Sequence, residues 1–195
     1  MKKLLIALLT MGILFAACGC AKPKEEDLIK KTITDYISDL LSEPMELLSS
    51  GGEIINQNDQ TKEVWDILND MLKRTTCVVK EVRIEGEHAT ADLEFSTYDI
   101  GQSFTVMLQE YIDKIMAAYM SEGNWESIDT VAVMTECWKK TLGEQEEKGL
   151  TLSFPFTMEL EKTAEGWKTG NYLDNEELLN ILAGGIFAAY DSDNN

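Results

Sequence analysis

Thr76-Cys77-Val78-Val79-Lys80-Glu81-Val82-Arg83-Ile84-Glu85-Gly86-Glu87-His88-Ala89-Thr90-Ala91-Asp92-Leu93-Glu94-Phe95-Ser96-Thr97-Tyr98 is the stretch that decides the fold. Its apolar residues recur at alternate positions, the period of extended chain. Thr76 to Glu85 reads as a strand with Val78, Val82 and Ile84 on one face. Glu85-Gly86 reads as a tight turn, and His88 to Tyr98 as the antiparallel partner. In that partner Ala89, Ala91, Leu93 and Phe95 line one face, while His88, Thr90, Asp92, Glu94 and Ser96 line the other. The pattern requires a sheet covered on one side and wet on the other.

Downstream, Leu150 to Glu161 alternates again through Leu150, Leu152, Phe154, Phe156, Met158 and Leu160. Pro155 falls on the polar side, which suggests an edge or a bulge. Lys162 to Gly166 turns the chain into a fourth strand that holds Trp167. Elsewhere the period is helical. A first helix is expected over 25–42, ended by Pro44 or followed by a short turn at Met45–Ser49. Residues 51–60 read as loop, and a second helix starts at a capping Thr61. Ser103 to Met120 forms a third helix, with Phe104, Met107, Leu108, Tyr111, Ile112, Ile115, Met116 and Tyr119 in register. A fourth is expected over 127–147. A last helix follows Asp174 as its cap, with Glu177 at the capping-box position. The order is α-α-β-β-α-α-β-β-α. Its economical solution is an α+β fold: a curved antiparallel four-stranded sheet packed on one face by helices. A helical hairpin, 103–147, is inserted between the two β-hairpins. One domain is expected over 26–190, with a disordered tail at 191–195.

The segment from Val78 to Leu93, and the closing Met158-Glu159-Leu160-Glu161 with Gly166-Trp167-Lys168, resemble hairpins of nuclear transport factor 2-like (cystatin-like) domains in bacterial lipoproteins of unknown function. That resemblance implies a cone-shaped fold whose mouth can hold a small ligand, and whose enzymatic members place an Asp, His or Tyr inside the cone. The helical hairpin at 103–147 departs from the minimal family pattern.

The chain opens with Lys2-Lys3, an apolar run from Leu4 to Ala17, and then Cys18. A basic start, an apolar stretch and a small-residue exit make an export signal. The run is shorter than the ~20 residues that span a bilayer as a helix. Leu14-Phe15-Ala16-Ala17-Cys18 resembles a bacterial lipobox, although Phe15 stands where Leu is usual. The resemblance implies cleavage after residue 17 and lipidation of Cys18, with 18–25 as a lipidated tether. The expected location is extracytoplasmic, anchored to the bacterial cell membrane by that lipid.

Acidic residues number 35 against 17 basic ones. Lys2 and Lys3 leave with the signal, taking the formal net charge from −18 to −20. Such a chain repels nucleic acid and anionic headgroups, so no nucleic-acid partner is expected. The acids are spread along the chain, as in a surface that keeps a protein soluble. His88 is the sole histidine, and it starts a strand on the polar face. There is no HExxH, CxxC, GxSxG, GxxxxGK or EF-hand loop, so neither cofactor nor metal is expected. Cys77 and Cys137 form the one long-range cysteine pair that could close a disulfide.

The inserted hairpin concentrates Met and aromatic residues, which make adaptable apolar surfaces. Met107, Tyr111, Met116, Tyr119 and Trp138 are the candidate ligand or partner surface. The expected function is a non-enzymatic binding module for a small apolar ligand or a protein partner. The alternatives are a small enzyme of the isomerase or dehydratase type, with its ionisable group supplied by a helix, or a structural subunit of envelope assembly.

Overall fold

The computed structural model describes residues 24–44, 59–173 and 175–188. The expected signal, the lipidated Cys18, most of the tether, the turn at Met45–Ser49, the Asp174 cap and the 191–195 tail lie outside them. The chain runs α1 (Glu25–Ser42), α2 (Asp59–Lys73), β1 (Thr76–Glu85), β2 (His88–Thr97), α3 (Ile100–Glu122), a 3-10 turn (Trp125–Ser127), α4 (Thr130–Lys148), β3 (Leu152–Thr163), β4 (Gly166–Thr169) and α5 (Glu176–Leu182). The strands form one antiparallel sheet in the order β1-β2-β3-β4. The α+β class follows directly from these elements.

Alternation in β2 dictates the first core. Ala89, Ala91, Leu93 and Phe95 are all buried, and β3 adds Phe156, Met158 and Leu160 beside them. α1 lays Ile29, Ile33 and Ile37, one per turn, onto this face, and α5 adds Leu178, Ile181 and Leu182. Each such side chain contributes about 1.5–3 kcal/mol through its removal from water. The opposite face is polar. The Arg83 guanidinium donates to both Asp92 carboxylate oxygens at 2.6 and 2.8 Å, and Asp92 Oδ1 also accepts from Thr157. Glu94 accepts from Ser153 and pairs with Lys80.

The expected face of β1 needs correction. The pairing register shifts between Val79 and Glu81, leaving Lys80 as an extra residue. Strict alternation places Val78 with Val82 and Ile84. The bulge instead turns Cys77 and Val79 toward the core with Val82, and leaves Val78 exposed. One inserted residue reverses the facing of everything on its far side.

Pro155 sits where the short β4 does not reach, since β4 pairs only with Leu160–Thr163. The missing amide hydrogen therefore leaves no ladder bond unmade on that edge. Close by, Tyr172 closes the edge: its hydroxyl accepts the Glu159 backbone N–H at 2.7 Å, and its own N–H donates to Tyr36 Oη.

Among the described helices, α1 and α5 lie on the sheet. α2, α3 and α4 gather into a second cluster beyond the end of β2. Val64, Leu68, Met71 and Leu72 of α2 meet Tyr98, Ile100 and Leu142 there. Each helix in this part starts or stops where its capping chemistry allows. Asp99 accepts from Gln102 N at 2.8 Å, so α3 starts before Ser103. Gly123, at φ +68°, ends it with an N–H to Tyr119 O. Asp129 accepts from Ala132 N and opens α4 at Thr130. α2 starts at Asp59, so Thr61 lies inside the helix and is not its cap. Asn175 caps α5 by accepting from Leu178 N.

The pair that could close a disulfide does not: the Cys77 and Cys137 thiols are both free. Cys77 faces the sheet core, whereas Cys137 is fully buried within electrostatic reach of Lys114 and Glu110 of α3. Cys137 falls outside the apolar stripe because α4 buries two faces, one on α2 and one on α3.

Candidate functional site: an apolar groove between four helical segments

The second cluster is not filled solid. A groove of about 310 Å³ opens among α2, α3, α4 and the chain after α5. Val64, Trp65, Leu68 and Leu72 form one wall, Ile100, Phe104, Met107 and Leu108 a second, and Met134 and Trp138 a third. Ala183, Ile186 and Phe187 close the fourth side. Among the described residues no ionisable side chain lines it; the polar contributors are Thr61 and Thr135. The Thr135 hydroxyl is buried without a hydrogen-bond partner in the structure. A buried hydroxyl left unpaired costs about 1–3 kcal/mol, which a ligand's polar atom could recover.

Three sets of contacts fix the walls relative to one another. Phe104 and Trp138 pack ring on ring, 5.7 Å between centroids, bridging α3 and α4. Ion pairs join the same two helices, Lys114 to Glu136 at 2.9 Å and Lys140 to Glu110. The Arg74 guanidinium at the end of α2 bonds both Glu146 of α4 and the Tyr98 hydroxyl, tying the second helix to the sheet exit.

The five residues expected to form one surface are divided among four places. Met107 is buried in the groove wall and Trp138 lines the groove beside it. Tyr119 is at the hairpin tip, stacked on Trp125 at 4.4 Å between ring centroids. Met116 belongs to an exposed stripe on the outer side of α3, with Ile112 one turn before it and Met120, 82% exposed, one turn after. Tyr111 is half-buried and is not a groove residue. Trp65, Ile186 and Phe187 are groove residues that the sequence reading passed over. α2 reads as one of the helices packed on the sheet, and Gly184-Gly185 as an interruption or end of the last helix. The signal available was the apolar pair Ile186-Phe187 directly after two glycines.

Chemistry elsewhere is sparse. His88 is exposed, 3.9 Å from Glu161. Asp92 and Glu94 lie on the polar face, where Arg83 and Lys80 hold their carboxyls below the usual carboxylate range. Among the described residues no cluster of His, Cys, Asp and Glu could hold a metal ion, and no helix is long and apolar enough to cross a membrane. Another hollow, about 430 Å³, lies between α1 and β1. It is open and mixed in character, carrying Thr34, Ser38, Ser42 and Lys73 beside Ile33 and Cys77.

No protein-family model matches the chain, and no curated protein matches it. Among solved structures it is similar to a candidate lipoprotein, YcdA, of Bacillus subtilis. That match has 11% identity and a TM-score of 0.44, over 80% of this chain and 46% of that one. This chain thus spans less than half the length of that protein.

Proposed function

We propose that this chain is an extracytoplasmic lipoprotein, held to the cell membrane through Cys18, that binds a small apolar ligand in the groove between its helices. The observation that carries the reading is the groove itself. Its volume falls at the lower end of the range for small-molecule sites, and such sites are lined by apolar and aromatic side chains with few polar groups. Trp65, Phe104 and Trp138 supply rigid faces and Met107 and Met134 adaptable ones. The reading is of a binding module rather than an enzyme: among the described residues the lining carries no ionisable side chain to serve as acid or base.

The anchor fits this reading. Glu25, the first residue of α1, pairs with Lys162 at the β3–β4 turn, so the tether enters at that end of the sheet. β2 then runs ten residues from His88 to Thr97 before Ile100 reaches the groove, a span of about 33 Å. Glu25 and the groove therefore lie toward opposite ends of β2.

Titrating residues 21–195 with N-phenyl-1-naphthylamine tests the proposal. Saturable one-to-one binding is expected, with energy transfer from Trp65 and Trp138, and with loss of binding in Leu108→Lys at unchanged circular dichroism. A folded protein that takes up no dye, and that carries no co-purified apolar ligand in native mass spectrometry, refutes it. A protein partner is the second reading. The stripe Ile112, Met116 and Met120 favours it, since large apolar side chains repeat there in water at the spacing of one helix face.

A further inference from the structure

We infer that the groove selects an uncharged amphiphile, an apolar body carrying a single hydroxyl or carbonyl group, and that the Thr135 hydroxyl holds that group. The inference rests on the groove being a ligand site and names the chemical class that fits it.

Thr135 differs from four other helical threonines. Thr32, Thr34, Thr105 and Thr141 each donate the side-chain hydroxyl to the carbonyl four residues earlier, at 3.1, 2.8, 3.2 and 3.1 Å. Such a bond satisfies the hydroxyl within its own helix. Thr135 lies inside α4 as well, yet its Oγ1 is buried and makes no hydrogen bond. The same residue lines the groove. A hydroxyl both donates and accepts, so an alcohol, a phenol or a ketone can each satisfy it, and a hydrocarbon cannot. A site that pairs one polar group in this way discriminates against analogues that lack it.

Charge decides against an ionised head. Among the described residues the groove lining has no ionisable side chain, and the charged groups nearest Thr135 are already paired with one another. Thr135 also borders an open hollow lined by Ala132, Glu136 and Lys139. Lys139 Nζ pairs with Glu63 of α2 at 2.8 Å, and Glu136 pairs with Lys114 of α3 at 2.9 Å. These two pairs tie α4 to both neighbouring walls, so neither cation can neutralise a ligand without releasing a wall. A carboxylate brought to Thr135 adds a third anion, to Glu63 and Glu136, against two cations already paired. An ammonium likewise finds both carboxylates occupied. An ion left without a partner in an apolar site is costly, whereas a neutral head leaves both pairs intact and satisfies Thr135.

The test displaces N-phenyl-1-naphthylamine from residues 21–195, a chain that holds every described residue. The competitors share one chain length: 1-decanol, decanoate, decylammonium and 1-chlorodecane. At about pH 8 in about 0.5 M sodium chloride the acid and the amine are ionised, and the long-range field of the acidic protein is screened. 1-Decanol should displace the dye about tenfold more tightly than either ion, because each ion buries an unpaired charge. Thr135→Val, which keeps the shape and removes the hydroxyl, should weaken 1-decanol about fivefold, the loss of one hydrogen bond, and leave 1-chlorodecane unchanged. Thr135→Ser, which keeps the hydroxyl, should retain the preference. Decanoate or decylammonium binding as tightly as 1-decanol overturns the inference, and so does 1-decanol binding that ignores Thr135→Val. Should the valine variant not fold, the order of the three heads on the unaltered chain decides alone. In each of these overturning outcomes the dye still binds and the groove reading stands. Absence of dye binding removes that reading, and this inference with it.

Discussion

Gly184 lies against Ile100 so closely that a Cβ on the glycine would stand 2.6 Å from Ile100 Cγ1 and 2.8 Å from the Tyr98 carbonyl oxygen. This contact brings the chain after α5 onto the first residue of α3 and closes the fourth wall of the groove. Gly184→Ala therefore forces backbone as well as side chain to move, at φ +63°. The expected loss is about 2–5 kcal/mol from backbone strain and overpacking together. Gly185→Ala meets Leu152 only at 3.4 Å and should lose about 1–3 kcal/mol, the backbone part alone. Urea denaturation of the two variants checks the difference.

The bulge at Lys80 makes a prediction that strict alternation reverses. Val78 is 54% exposed and pairs across from Glu94 on the polar face, whereas Val79 packs on the sheet core. Val78→Lys should change stability by less than about 0.5 kcal/mol, and Val79→Lys should cost about 1–3 kcal/mol. If the two variants melted alike, the register described for β1 would be wrong.

Acid should weaken the sheet in a defined direction. The Asp92 carboxyl is held below its ordinary value by the Arg83 guanidinium, and Glu94 by the Lys80 ammonium and the Ser153 hydroxyl. A carboxylate with a lowered folded value favours the folded state above its ordinary value. That contribution is lost as pH falls through the lower folded value. Urea midpoints should thus stay flat near neutrality and drop once pH passes below about 4, the ordinary carboxylate range. Asp92→Asn should flatten the drop; an unaltered slope would mean that the Arg83 pair does not govern it.

Burial pushes the Cys77 thiol up to about 11, and burial likewise raises Cys137. At pH 8 both should be protonated and slow toward iodoacetamide, since the thiolate is the reactive form. Both should label promptly in urea. Fast labelling of the native protein at Cys137 would show that the α3–α4 seam opens.

Removing the proposed lipid acceptor should move the protein. Cys18→Ala should release the chain into the medium or leave it as uncleaved precursor, because a net charge of −20 gives it no attraction to an anionic bilayer. Mature, cleaved protein that still sediments with membranes would refute the anchor.

The sequence by itself determined the sheet and the helices that cover it. Alternation in Ala89–Phe95 and in Phe154–Leu160, and the one-per-turn isoleucines of α1, are local periodicities, and burial follows period directly. Helix ends were legible in kind but not in position, because Asp99, Asp129 and Asn175 compete with equally plausible neighbours such as Ser103 and Asp174. Three features were decided only in three dimensions. The bulge at Lys80 turns Val78 outward, a choice set by pairing with β2 and not by composition. Cys77 packs against the sheet core while Cys137 is buried in α4, which packs on α3 and α2. The groove itself arises where α2, α3, α4 and the turn at Gly184 meet. An apolar helical face reads the same whether its neighbour fills the space or leaves it open. Only the placement of Trp65, Met107, Trp138 and Phe187 around one void separates a binding wall from a core.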